Sequence, residues 1–163
     1  SIEHGTYLDD LSMDLMVEHG TYYVPTIYVG DYYAGTDKLL AQEKNDDVYL
    51  NYRDEWLRRI GKAHRQGVKI VVGVDLGGYA IAPHVYAREF ATLVEAGLSP
   101  MQAIKTGTSV AAEMLGWNDR VGTLKAGKLA DIIAVPGNPL EDISVLERPQ
   151  FVMLGGKVVR RSE

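Results

Sequence analysis

His4 and Asp75 are the residues of this sequence best placed to do chemistry. Each ends a short run that reads as a β-strand: His4 is followed by Gly5, and Asp75 leads through Leu76 into Gly77-Gly78. A neutral imidazole suits a zinc ligand. A carboxylate beside water on such an ion suits a general base. Taken singly, neither residue carries a function. A lone histidine at a strand end is more often a hydrogen-bonded structural residue, and a lone aspartate before Gly-Gly is most simply turn chemistry. Their separation adds something, because 75 − 4 = 71 residues. An α/β barrel of about 250 residues spends roughly 30 residues on each βα unit. Two units and a modest insertion therefore put His4 and Asp75 two strands apart, at the C-terminal strand ends where such barrels carry their active sites.

The intervening elements fit that placement. Leu11, Leu15, Met16 and His19 lie at helical spacing, and Gly20 is a C-terminal stop. Residues 21–29 (TYYVPTIYV) are β-branched and aromatic and predict a strand, made irregular or an edge by Pro25. Residues 30–37 (GDYYAGTD) read as a loop that could serve as a lid, with Tyr28, Tyr32 and Tyr33 toward the active-site end of that strand. Packing explains these tyrosines as well as a substrate wall does. Residues 38–66 predict a long helix or two, with Tyr52, Trp56, Ile60 and Ala63 as the buried stripe. Residues 68–73 (VKIVVG) form a strand of the kind covered on both faces. A helix through Phe90 and Leu93 follows, then another that starts at the Ser99-Pro100 cap, and a further turn or two from Ser109. The end of the chain changes character: residues 129–135 (LADIIAV) form a strand, and residues 151–160 a hairpin about Gly155-Gly156. Alternating β and α elements predict a parallel sheet or barrel. A three-layer flavodoxin-like domain fails on strand count and on the trailing hairpin.

Composition excludes several classes. The chain has 163 residues, 17 Lys+Arg and 22 Asp+Glu, for a net charge of −5. An acidic balance argues against nucleic acid or an anionic membrane as partner. With 46% hydrophobic and 24% charged residues the composition is that of a folded protein, not a disordered one. The absence of cysteine rules out a disulfide scaffold and any Cys-ligated zinc. No run approaches the ~18 apolar residues of a membrane helix. The compartment stays open. The cytoplasm is favoured, and the start without Met leaves room for a periplasmic or secreted protein. Gly77-Gly78 lacks the remainder of a phosphate loop. His19 and His64 read as surface histidines on helices.

Three stretches carry a family resemblance. Ser1-Ile2-Glu3-His4-Gly5-Thr6, Gly73-Val74-Asp75-Leu76-Gly77 and residues 119–133 (DRVGTLKAGKLADII) resemble the amidohydrolase superfamily, most closely its prolidase-like (Xaa-Pro dipeptidase) and imidazolonepropionase-like members. The block 119–133, with Gly137-Asn138-Pro139-Leu140 and Gly156-Lys157-Val158-Val159, is the most specific part. The resemblance spans the chain but only the C-terminal portion of the family's domain. It implies an α/β fold: about three βα units of a TIM-like (β/α)8 metal-dependent hydrolase barrel over residues 1–118, resembling strands six to eight. Residues 119–163 would then be the C-terminal strands of a small β-sandwich. By the same resemblance His4 matches a metal-ligating histidine of the sixth strand. Asp75 matches the eighth-strand aspartate that contacts metal and takes a proton from a zinc-activated hydroxide. The family's usual Gly-Thr-Asp is here Gly73-Val74-Asp75, which keeps the carboxylate. His84, in Ala82-Pro83-His84, and Tyr28 are candidate substrate contacts. The implied activity is cleavage of a C–N bond in dipeptides or N-acyl amino acids, with one or two divalent metals.

The family's His-x-His, bridging lysine and fifth-strand histidine have no counterpart and would precede Ser1. Two protein ligands are fewer than the three of a catalytic zinc site, so the chain alone is expected to hold zinc poorly and not to turn over substrate. Three barrel strands also leave open edges. The expectation is that the N-terminal half of the barrel, or further copies of this chain, completes the fold. The alternative is a non-catalytic remnant that binds a partner, against which stands the retention of both His4 and Asp75.

Overall fold

The computed structural model describes residues 1–34, 47–75 and 86–162. Three short parallel strands, β1 (Ile2–Glu3), β2 (Tyr22–Val24) and β3 (Lys69–Ile70), form one sheet in the order β1-β2-β3. Ile2 pairs with Tyr23, and Tyr23 with Ile70. The connections are helical. α1 (Asp10–His19) links β1 to β2, while α2 (Ile27–Ala34) and α3 (Asp47–Gln66) lie between β2 and β3. α4 (Arg88–Glu95), α5 (Pro100–Thr106) and α6 (Ser109–Met114) follow. A second sheet of antiparallel strands, β4 (Ile132–Ala134), β5 (Phe151–Leu154) and β6 (Lys157–Arg161), ends the chain, with a 3₁₀ helix at Ile143–Glu147 between β4 and β5.

The helix ends follow from local chemistry. Asp9 accepts a hydrogen bond from the Ser12 N–H and caps α1, and Gly20 closes it at φ 63°. Ser99 and Gln102 form a reciprocal capping box at α5, with Pro100 at its first position. The β5–β6 turn places both Gly155 and Gly156 at positive φ, as a two-residue hairpin turn demands.

Two expectations fail here. The strand predicted over residues 21–29 stops at Val24, and Ile27–Ala34 is helix where strand end and loop were expected. The break falls at Pro25-Thr26, and a tertiary contact starts the helix: buried Glu89 of α4 accepts hydrogen bonds from the Ile27 and Tyr28 N–H groups at 3.0 and 2.7 Å. On α1, Met13 and Met16 enter the core, whereas Leu11 and Leu15 are 68% and 43% exposed. The part of the expected loop and long helix between residues 35 and 46 lies outside the described residues.

The core lies between the parallel sheet and its helices. Trp56, Leu57, Ile60 and Ala63 of α3 present one face at helical spacing and pack with Met13, Met16, Tyr23, Ile70 and Leu93. Arg53 ties three helices by pairing with Asp31 of α2 and Glu95 of α4. These carboxylates push its guanidinium pKa further up, with Glu95 the stronger partner. The C-terminal segment docks on α4 through the Arg88–Glu147 ion pair at 3.1 Å.

Candidate functional site

The three parallel strands deliver three residues to one end of the sheet. His4 follows β1, Thr26 follows β2 and Asp75 follows β3, and all three hold positive φ, at 63°, 52° and 44°. Such backbone is strained for residues with a Cβ and recurs at functional sites. His4 is kept in the β1–β2 register by donating its N–H to the Val24 carbonyl at 2.8 Å. Its own carbonyl accepts a hydrogen bond from the Tyr23 hydroxyl at 3.1 Å, and that hydroxyl accepts one from the Trp56 indole at 3.1 Å. Burial pushes the Tyr23 phenol up to about 12, so it stays protonated and keeps donating.

The functional ends of His4 and Asp75 meet. His4 Nε2 lies 3.8 Å from Asp75 Oδ2, and the two side chains are 51% and 60% exposed. That gap is too long for a hydrogen bond. It is within the span of one cation, because two ligand bonds of about 2.1 Å reach at most about 4.2 Å. An imidazole nitrogen and a carboxylate oxygen are donors that zinc accepts, so the pair fits part of a metal site. Among the described residues no third His, Asp or Glu joins them. The other imidazole nitrogen, Nδ1, lies 2.6 Å from the Thr26 hydroxyl, which is 2.7 Å from the Pro25 carbonyl.

Tyr28 is buried at 4% exposure, with the Arg88 guanidinium 5.8 Å from its ring centre and 3.4 Å from its hydroxyl. Burial raises its phenol to about 12. His84 lies outside the described residues. Thr26 and Glu89 are the residues that sequence reasoning missed. Pro25 marked the chain break beside Thr26. No local signal marked Glu89, whose partner lies 62 residues away.

A cleft of about 710 Å³ is lined by Val72, Gly73 and Phe90 together with Ile133 and Arg160 of the second sheet. Among the described residues no helix is long and apolar enough to cross a membrane.

Parallel strands joined by helices, with a histidine and an aspartate converging at the C-terminal strand ends, are the arrangement of metal-dependent hydrolase barrels. The chain belongs to the amidohydrolase family, whose model matches residues 1–159. It is 32% identical to an ochratoxinase of Aspergillus niger over 98% of this chain and 34% of that protein. A Xaa-Pro dipeptidase with bound methionine in its active site superposes with a TM-score of 0.81 at 40% identity, over 98% of this chain and 39% of that one. A prolidase complexed with N-methylphosphonate-L-proline gives a TM-score of 0.80 at 28% identity, over 99% and 40%. The chain thus spans a third to two fifths of these relatives. The α/β fold agrees with the part-barrel reading, and the family with the prolidase-like resemblance.

Proposed function

We propose that this chain supplies the His4–Asp75 part of the metal centre in an amidohydrolase that cleaves a C–N bond of dipeptides or N-acyl amino acids. The observation that carries the reading is the convergence of His4 Nε2 and Asp75 Oδ2, 3.8 Å apart, at the same end of a parallel sheet. The similarity to a Xaa-Pro dipeptidase and to a prolidase with a proline phosphonate supports the substrate class. A divalent cation, zinc by the donor types, would polarise the amide carbonyl and acidify water when bound. The chain's own residues do the rest. His4 presents Nε2 as a fixed ligand. Asp75 takes the proton of the attacking water on its carboxylate and returns it to the leaving nitrogen. Tyr28 and His84 are not used in this mechanism.

In this reading residues 1–118 are part of a barrel, and residues 119–163 the C-terminal strands of a small sandwich. The missing ligands come from an N-terminal half of the barrel. Uncovered apolar side chains on the second sheet, among them Ile133, Leu154, Val158 and Val159, support a completing partner.

The test is hydrolysis of Xaa-Pro dipeptides and N-acyl amino acids by the completed protein. Asp75→Asn should lower kcat by at least about 10²-fold without shifting the unfolding midpoint of the metal-free protein. Full activity in Asp75→Asn overturns the role. Native mass spectrometry reads assembly mass and bound zinc together: zinc is expected in a heavier assembly of this chain with an N-terminal half of the barrel, and little on the 18.0 kDa chain alone.

A further inference from the structure

We infer that Thr26 is a positioning residue that fixes the tautomer of His4, so that Nε2 carries a lone pair toward Asp75 and the cation between them. The inference rests on the metal-site reading above but on different atoms. Two short polar contacts meet at the Thr26 hydroxyl: 2.6 Å to His4 Nδ1 and 2.7 Å to the Pro25 carbonyl oxygen. A contact this short between two polar atoms is attractive only with a proton in it. The carbonyl can only accept, and the threonine has one hydroxyl proton. If that proton points to His4, the Pro25 carbonyl faces a bare hydroxyl oxygen. For a neutral imidazole, the form that ligates a metal, one assignment places a proton in both contacts: the Thr26 O–H donates to Pro25, and the His4 Nδ1–H donates to Thr26. Nδ1 then bears the hydrogen and Nε2 is free to ligate. The ring nitrogen that faces away from a metal is commonly held in this way, which fixes ring orientation as well as tautomer.

Two further observations show that the hydroxyl is held in place. Thr26 is 3% exposed, so water does not compete for its oxygen. Its backbone stands at φ 52°, costly for a β-branched residue, and is clamped on the next two residues by Glu89, which takes the N–H groups of Ile27 and Tyr28. A threonine held against its own backbone preference, with its one proton committed to a carbonyl, is an acceptor that cannot turn away.

The experiment is a long-range ¹H–¹⁵N correlation of the imidazole nitrogens in the metal-free protein at pH 8.5, with His4 assigned by His4→Asn. The expected result is Nδ1 protonated and Nε2 bare in the wild type. In Thr26→Val, which keeps the branched shape but offers no acceptor, the proton should shift toward Nε2. Thr26→Ser should restore the wild-type pattern. Zinc affinity, read by competition with a chromophoric chelator on the completed protein, should fall about 10–100-fold in Thr26→Val and return in Thr26→Ser. An Nε2–H tautomer in the wild type, or an unchanged tautomer in a folded Thr26→Val protein, overturns the inference. If Thr26→Val does not fold, the wild-type spectrum decides. A wild type with the expected tautomer but no zinc affinity leaves the positioning role standing and sinks the metal-site reading.

Discussion

A side chain held at positive φ costs of the order of 1–3 kcal/mol, and this molecule carries that cost at His4, Thr26 and Asp75, the residues that end its parallel strands. The glycine next to His4 shows how tightly the surroundings are drawn. A Cβ on Gly5, which stands at φ 52°, would lie 2.6 Å from Cε2 of Tyr23. The displaced atom would belong to a rigid buried ring whose hydroxyl supports the His4 carbonyl. Gly5→Ala should therefore destabilise by about 1–3 kcal/mol, read as a lower urea midpoint. It should also weaken the site, because the ring cannot move without loosening His4. At this scale the sequence was informative about His4 and Asp75, whose strand-end positions follow from element order and spacing. It was silent about Thr26. A hydroxyl within a run of β-branched and aromatic residues looks like one more strand residue, and only the turn at Pro25 gives it a task.

Among the elements, α2 was misread for a reason that can be located. Its sequence, IYVGDYYA, has the β-branched and aromatic composition of a strand. Helix wins because its first turn is satisfied from outside, by the Glu89 carboxylate, and because Arg53 holds Asp31 from the neighbouring helix. A glutamate beside Phe90 would pass for a solvated position of an amphipathic helix, and nothing local announces that it is buried. Burial pushes the Glu89 pKa from 4.5 to about 8, the nearby Asp31 charge adds to the rise, and the two N–H bonds and Arg53 oppose it. The folded state therefore holds the proton more tightly than the unfolded chain. The stability this group confers is full below about pH 4.5 and is lost as pH rises toward about 8. Urea unfolding at pH 5 and pH 8.5 should show that decline in the wild type, and a smaller one in Glu89→Gln. The amide accepts through one oxygen only, so Glu89→Gln should cost about 1–3 kcal/mol at pH 5, a deficit that shrinks at pH 8.5 as the wild type loses its own contribution. The capped α1 and α5 and the glycine hairpin, by contrast, were readable because their signals are local.

On the scale of the whole molecule, the parallel sheet has a helical side that is well filled and edges that other strands of a barrel would cover. That much follows from strand count. The uncovered apolar side chains of the second sheet and the cleft beside Gly73 became visible only with the tertiary arrangement. The meeting of His4 with Asp75 has one more consequence, which concerns the unfolded chain. A cation gripped by both would pin two points 75 − 4 = 71 residues apart and close a loop that contains β2, α3 and most of the core. The tie would act as a reversible cross-link, and its benefit would grow with free cation as RT ln(1 + [L]/Kd), about 2.7 kcal/mol at a hundredfold excess over Kd. The completed protein should therefore melt higher as zinc is titrated in. Chelator should reverse the gain and His4→Asn should abolish it, so that the ion drawn in for chemistry would also shorten the leash on the disordered chain.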